Sequence, residues 1–109
     1  MSFQNITPIN AVAVDAGATN DPVSVKMDAS LNEIIIYIKN LGASTNLTVL
    51  VESSPDGTIK APLQTVTLGT TTTTVSIPVS VVPAFLIFTA TNGDYSNATT
   101  YSVIISKRA

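Results

Sequence analysis

The sequence predicts an all-β fold: a single-domain antiparallel β-sandwich, immunoglobulin-like or jelly-roll, of about seven to eight strands. Three observations predict it. Val, Ile, Thr, Phe and Tyr fill short runs separated by Gly, Pro, Asn, Asp and Ser clusters. Those runs recur at roughly 8 to 15 residues, the spacing of sandwiches and barrels. No window repeats apolar residues at three and four over a useful length, and β-branched residues are everywhere, so no helix is expected.

Taken in order, residues 1–10 show no alternation. Phe3, Ile6 and Ile9 are apolar without a place in a strand pattern. They are expected to form an N-terminal arm ahead of a sandwich domain over 11–109, and to be its assembly contacts. The strands then follow as AVAV (11–14), PVSVKM (22–27), EIIIYIKN (33–40), NLTVLVES (46–53), APLQTVTL (61–68), TTTVSIPV (72–79), PAFLIFTATN (83–92) and TYSVIISK (100–107).

Alternation sets the faces. Leu47, Val49 and Val51 oppose Thr48, Leu50 and Glu52, and Tyr101, Val103 and Ile105 oppose Ser102, Ile104 and Ser106. A period of two buries one face of each run against a core. EIIIYIKN and AFLIFTA are apolar on both faces, which predicts central strands covered on both sides. Pro78 places its segment at an edge, a bulge or a strand end. Thr70 to Thr74 reads as a loop entering that edge strand, and DASLNE (28–33) forms at most one helical turn.

The turns carry their own chemistry. In Ser54-Pro55-Asp56-Gly57, proline presets the first turn dihedral, Asp tolerates the second and Gly takes the positive φ that follows. Asn92-Gly93-Asp94 reads as a second tight turn. These loops supply the candidate contacts of a binding module: Asp56, Asn92, Asp94 and Tyr95.

Composition removes most chemistry. The chain has no histidine and no cysteine, hence no Ser-His-Asp arrangement, thiolate nucleophile, cysteine-bound zinc or disulfide. Its seven carboxylates show no local spacing of a general acid–base pair. Asp15-Ala16-Gly17 and Asn92-Gly93-Asp94 are fragments of calcium loops without the remaining ligands. No enzyme activity and no cofactor are expected. Five scattered Lys and Arg at a net charge of -2 give no footprint for nucleic acid. The longest apolar run, VVPAFLIF, is too short to cross a bilayer, and MSFQNITPIN has no signal-peptide pattern. Charged residues are 11% of the chain against about 25% in ordinary domains. Such a surface is wetted by hydroxyls and amides, and costs little to desolvate against a neighbour.

The stretch EIIIYIKNLGASTNLTVLVESSPDGT, the later VPAFLIFTATN and the closing TYSVIISKR resemble small all-β virion proteins of tailed bacteriophages. The likeness covers residues 33–107. The aromatic usual in that family shortly after the Asp-Gly turn is replaced here by Thr58-Ile59-Lys60. The resemblance implies a capsid-decorating or other structural role on the virion, with synthesis in the host cytoplasm. The chain is similar also to short subunits of bacterial or archaeal surface fibres, which lend an N-terminal arm to the next subunit and many of which carry cysteines. On either likeness the expected partners are copies of the chain itself, as a homo-oligomer, or a capsid or surface lattice protein. The competing expectation is a monomeric immunoglobulin-like or carbohydrate-binding module acting through its end loops.

Overall fold

The computed structural model describes residues 4–28 and 33–108. Eight strands form: β1 (Gln4–Val14), β2 (Val23–Lys26), β3 (Glu33–Asn40), β4 (Leu47–Ser54), β5 (Ala61–Leu68), β6 (Thr74–Val79), β7 (Phe85–Asn92) and β8 (Thr99–Arg108). They build two four-stranded sheets, ordered β1-β8-β3-β6 and β2-β7-β4-β5, with antiparallel pairing throughout. Strand one pairs with eight, two with seven, three with six and four with five, which is a long hairpin rolled on itself. Of the two expected architectures, this is the jelly roll.

The core lies between the sheets and follows the period of two. Ile34, Ile36 and Ile38 of β3 and Tyr101, Val103 and Ile105 of β8 face Leu47, Val49 and Val51 of β4 and Leu86, Phe88 and Ala90 of β7. All of these are buried, each large one contributing about 1.5–3 kcal/mol relative to exposure. β3 and β7 are central strands, as their two-sided apolar pattern predicts. Their outer cover is another matter. No third layer exists among the described residues, so Ile35 and Tyr37 on the outside of β3 are only half-buried.

The expected arm is corrected by the pairing. Gln4 to Asn10 form the first half of β1, with Gln4 opposite Lys107 and Ile6 opposite Ile105. Ile9 is 2% exposed and belongs to the core, and Ile6 packs against it, so neither is a free assembly contact. Phe3 lies outside the described residues. Alternation is hidden in this strand because its register shifts twice, between Ile6 and Ile9 and between Ile9 and Val12. At the second shift Ala11 sits at φ 50 and its N–H donates to Ser102 Oγ at 2.8 Å.

Every sheet edge is blunted by proline. Pro8 lies in β1, Pro62 in β5 and Pro78 in β6, while Pro22 directly precedes the four-residue β2. β5 is also bulged, with Gln64 opposite Val51 and Pro62 opposite Glu52, leaving Leu63 as the extra residue. A proline or a bulge on an edge interrupts the row of hydrogen-bonding groups that another strand would use. Edge-to-edge addition is thus disfavoured on all four sides.

Candidate functional site

Alternating strand directions gather the connections at two ends. Loops 15–22, 41–46, 69–73 and 93–98 meet at one end, and loops 55–60 and 80–84 lie at the other. The two ends differ in chemistry.

The first end is built on two buried asparagines. Asn40 and Asn92 continue the inward-facing rows of β3 and β7 by one more step, after Ile34, Ile36 and Ile38 and after Leu86, Phe88 and Ala90. Asn92 Nδ2 donates to Val14 O at 3.3 Å and Asn97 O at 2.8 Å. Its Oδ1 accepts from Ser44 Oγ at 2.6 Å and from the Asp94 N–H at 3.0 Å. Asn40 Nδ2 donates to Ser44 O at 3.0 Å and Gly69 O at 3.1 Å. Its Oδ1 accepts from Thr99 Oγ1 at 2.6 Å and, more weakly, from the Gly42 N–H at 3.4 Å. Two donors and two acceptor positions are the full capacity of each amide. Both are filled, and between them they tie three of the four loops of this end to the last residue of β1 and the first of β8.

Asp94 fastens the outside of the same end. Its carboxylate accepts from the N–H groups of Thr45, Ser96 and Asn97, from Thr45 Oγ1 and from Asn97 Nδ2, all at 2.9–3.1 Å. The Thr45 and Ser96 N–H bonds, with the Asn97 side chain, hold this carboxyl well below the usual carboxylate range. Tyr95 beside it is 84% exposed. Its ring lies over Gly17, where a Cβ would come within 2.7 Å of Tyr95 Cδ1 and where φ is +71. Glycine at 17 is required on both counts.

Of the sequence-derived loop contacts, Tyr95 is open to a partner, Asp94 is engaged as a turn acceptor, and Asn92 is fully buried. Residues 93–98 pass from one sheet to the other, so Asn92-Gly93-Asp94 is a crossover rather than a hairpin. Asp56 belongs to the opposite end. There Ser54 Oγ accepts from the Gly57 N–H at 2.8 Å, Asp56 Oδ1 accepts from the Thr58 and Ile59 N–H groups at 2.8 and 2.9 Å, and Gly57 takes φ +87. The Ile59 and Thr58 N–H bonds lower the Asp56 pKa. The loop turns β4 into β5 as its residue chemistry predicts. Among the described residues no three Asp or Glu side chains converge as a metal-binding group.

What this second end presents is apolar surface. Ile59 is 64% exposed, Leu63 42% and Val81 84%. Beside them runs a shallow groove lined by Ser53, Pro55, Ile59, Ala61, Pro83 and Ala84. Residues 61–65 of β5 are exposed on both faces, so the edge strand stands out beyond the sandwich here. The sequence reading missed this site, although Ile59 following a polar turn and the pair Val81-Val82 outside the strand pattern were its visible signals.

No protein-family model matches the sequence, and no curated protein matches it. Solved structures do match. The PBSX exported protein XepA aligns with a TM-score of 0.70 at 12% identity, over 97% of this chain and 37% of XepA, so the chain spans little more than a third of that protein. The Yersinia pseudotuberculosis-derived mitogen aligns at 0.60 and 7% identity, over 97% of this chain and 86% of the mitogen. A protein of the Bacillus endospore appendages, described as disulfide-linked pili, aligns at 0.53 and 13% identity, over 98% of this chain and 90% of that one. At these identities the likeness is one of fold.

Proposed function

We propose that this chain is a non-catalytic structural protein of an assembled surface, a virion surface component in the first instance, which docks on a lattice through its apolar end. The observation that carries the reading is the exposure of Ile59 in a groove shared with Pro55, Ala61 and Pro83, with Leu63 and Val81 exposed on the segments that lead out of it. Apolar surface of that kind, rimmed by polar groups, marks sites of protein contact. The opposite end supports the reading by contrast, since Asn40, Ser44, Asn92 and Asp94 there are spent on bonds within the chain. The fold likeness to a PBSX exported protein and to an appendage protein is in keeping with a place on a virion or a cell surface. A fibre subunit of this kind would cohere without disulfides, because the chain has no cysteine.

The test is co-sedimentation. A tagged chain is produced in the cell that carries its gene, beside an Ile59→Ser/Val81→Ser variant, and the particles or appendages are pelleted. The wild type should pellet with them and the variant should stay in the supernatant. Equal pelleting of both, or no pelleting of either, refutes the proposal. A second reading, a binding module acting through the loop end, is favoured by the 84% exposure of Tyr95. Under that reading Tyr95→Ala, and not the Ile59/Val81 variant, would abolish binding to glycans on an array.

A further inference from the structure

The geometry points to the outer face of the β1-β8-β3-β6 sheet as the interface of a two-fold homodimer. In it two copies stack face to face with their β3 strands antiparallel. Ile35 of each copy meets Tyr37 of the other, and Glu33 meets Lys39. The inference deepens the assembly reading by naming a partner and a surface, and this surface is separate from the apolar end.

Three observations lead there. The first is the pattern of β3. A strand that reads apolar on both faces is one built for cover on both sides. Its inner row is in the core, yet Ile35 and Tyr37, with Ile104 beside Tyr37 on β8, remain half-buried and unroofed. The outside of the other sheet is mixed: Phe85 and Ile87 of β7 and Leu50 of β4 are apolar, and Ile87, at 1% exposed, is already covered within the chain. On its outside Thr91, Thr48 and Thr67 stand side by side across β7, β4 and β5, with Thr89 and Thr65 flanking Leu50 in the next row. Hydroxyls of that kind are satisfied by water, and Thr19 Oγ1 and Thr91 Oγ1 already share a hydrogen bond at 3.1 Å.

The second observation is shape. The molecule is a slab of 43 × 31 × 18 Å. A stable interface takes about 800 Å² from each partner, or a patch of about 28 Å on a side. The broad faces offer the most room for it, being 43 × 31 Å against a thickness of 18 Å. The proline-bearing edges are closed to strand addition in any case. Sheets that pack face to face do so with strands nearly aligned, as two antiparallel β3 strands would be.

The third observation is self-complementarity. The outward charges of β3 are Glu33 at one end and Lys39 at the other, with Ile35 and Tyr37 between them. A two-fold axis crossing β3 at Ile36 carries 33 onto 39 and 35 onto 37. Acid then meets base and the aliphatic side chain meets the aromatic ring, twice over. Glu33 also bridges Arg108 on its own chain, so in the dimer its carboxylate would be shared between that guanidinium and the facing Lys39. Such isologous pairing is the commonest symmetry of soluble oligomers.

Sedimentation equilibrium of the full chain tests the inference, together with Lys39→Glu, the double variant Glu33→Lys/Lys39→Glu, and Tyr37→Ser. The wild type should show twice the chain mass of 11.3 kDa. Lys39→Glu sets like charges together and should weaken the dimer at least about tenfold. The double variant should bind at least about threefold more tightly than Lys39→Glu alone, short of wild type because the introduced lysine lies beside Arg108 of its own chain. A merely destabilised fold would show no such recovery. Tyr37→Ser should be monomeric with its β-sheet circular dichroism retained. A wild type that stays monomeric at about 0.3 mM, a dimer indifferent to Lys39→Glu, or a double variant that fails to recover overturns the inference. So does self-association that survives Tyr37→Ser but is lost in Ile59→Ser/Val81→Ser, a result that leaves the docking proposal standing.

Discussion

Replacing Asn92 by alanine should cost this domain about 3–4 kcal/mol. Four hydrogen bonds end on that side chain, from or to Ser44, Asp94, Val14 and Asn97, and the residue is fully buried. Each buried bond contributes about 1 kcal/mol net, and a donor or acceptor left without a partner costs more. Partial access of water to the loops offsets some of that cost. Against a total stability of about 5–15 kcal/mol the loss is large. At about 4–8 °C per kcal/mol it lowers Tm by roughly 15–30 °C. The assay is urea denaturation followed by circular dichroism, with the exposed Gln64→Ala as a control expected within about 0.5 kcal/mol of wild type. Ser44→Ala alone should lose about 1–2 kcal/mol. Because Ser44 and Asn92 share one bond, the double variant should show a coupling of about 1 kcal/mol. A loss below about 1 kcal/mol for Asn92→Ala, or strict additivity with Ser44→Ala, would refute the idea that the loops are tied through this amide.

Three further outcomes follow from neighbouring residues. Tyr101 is completely buried and its hydroxyl has no partner among the described residues, so burial pushes its pKa up and Tyr101→Phe should gain about 1 kcal/mol in the same denaturation assay; a loss instead would show that the hydroxyl is bonded. Gly42→Ala would drive a Cβ to 2.8 Å from Thr99 Cα and into Thr99 Oγ1, displacing the hydroxyl from Asn40 and costing about 1–3 kcal/mol by the shift in urea midpoint. Asp94 has its pKa depressed in the fold, so its contribution is present above the unfolded value of 3.8 and is lost as pH falls below it. The urea midpoint should therefore drop below about pH 4 in the wild type and drop less steeply in Asp94→Asn; identical acid limbs would contradict that assignment.

Much of this architecture was legible because buried strands announce themselves by parity. The runs at 33–40 and 61–68 are strands at those bounds, and Pro78 marks an edge strand as its missing N–H requires. The first half of β1 was hidden because two register shifts and Pro8 erase a period of two. The loop-end network was half visible. Asn40 and Asn92 fall on the inward parity of β3 and β7, and an amide in an apolar row signals a buried hydrogen-bonding node. Which groups would fill its four bonds depends on loops brought together from distant parts of the chain. That is why Ser44, Thr99 and Val14 could not be named beforehand, and why Asn92 was misread as a surface contact. The apolar end was obscured for a related reason: Ile59 and Val81 look like ordinary loop residues until the roll sets 55–60 beside 80–84.

The central claim is that one end of the roll is locked on itself while the other is held open for contact. Hydrogen–deuterium exchange of the free chain and of the chain in assembled particles tests it most directly. In the free chain the Thr45, Gly93 and Asp94 amides, which donate to Asp94, Asn46 and Asn92, should already be protected. On assembly, new protection should arise over 55–63 and 80–84. Fast exchange at the loop amides of the free chain, or new protection confined to 93–97, would contradict the account.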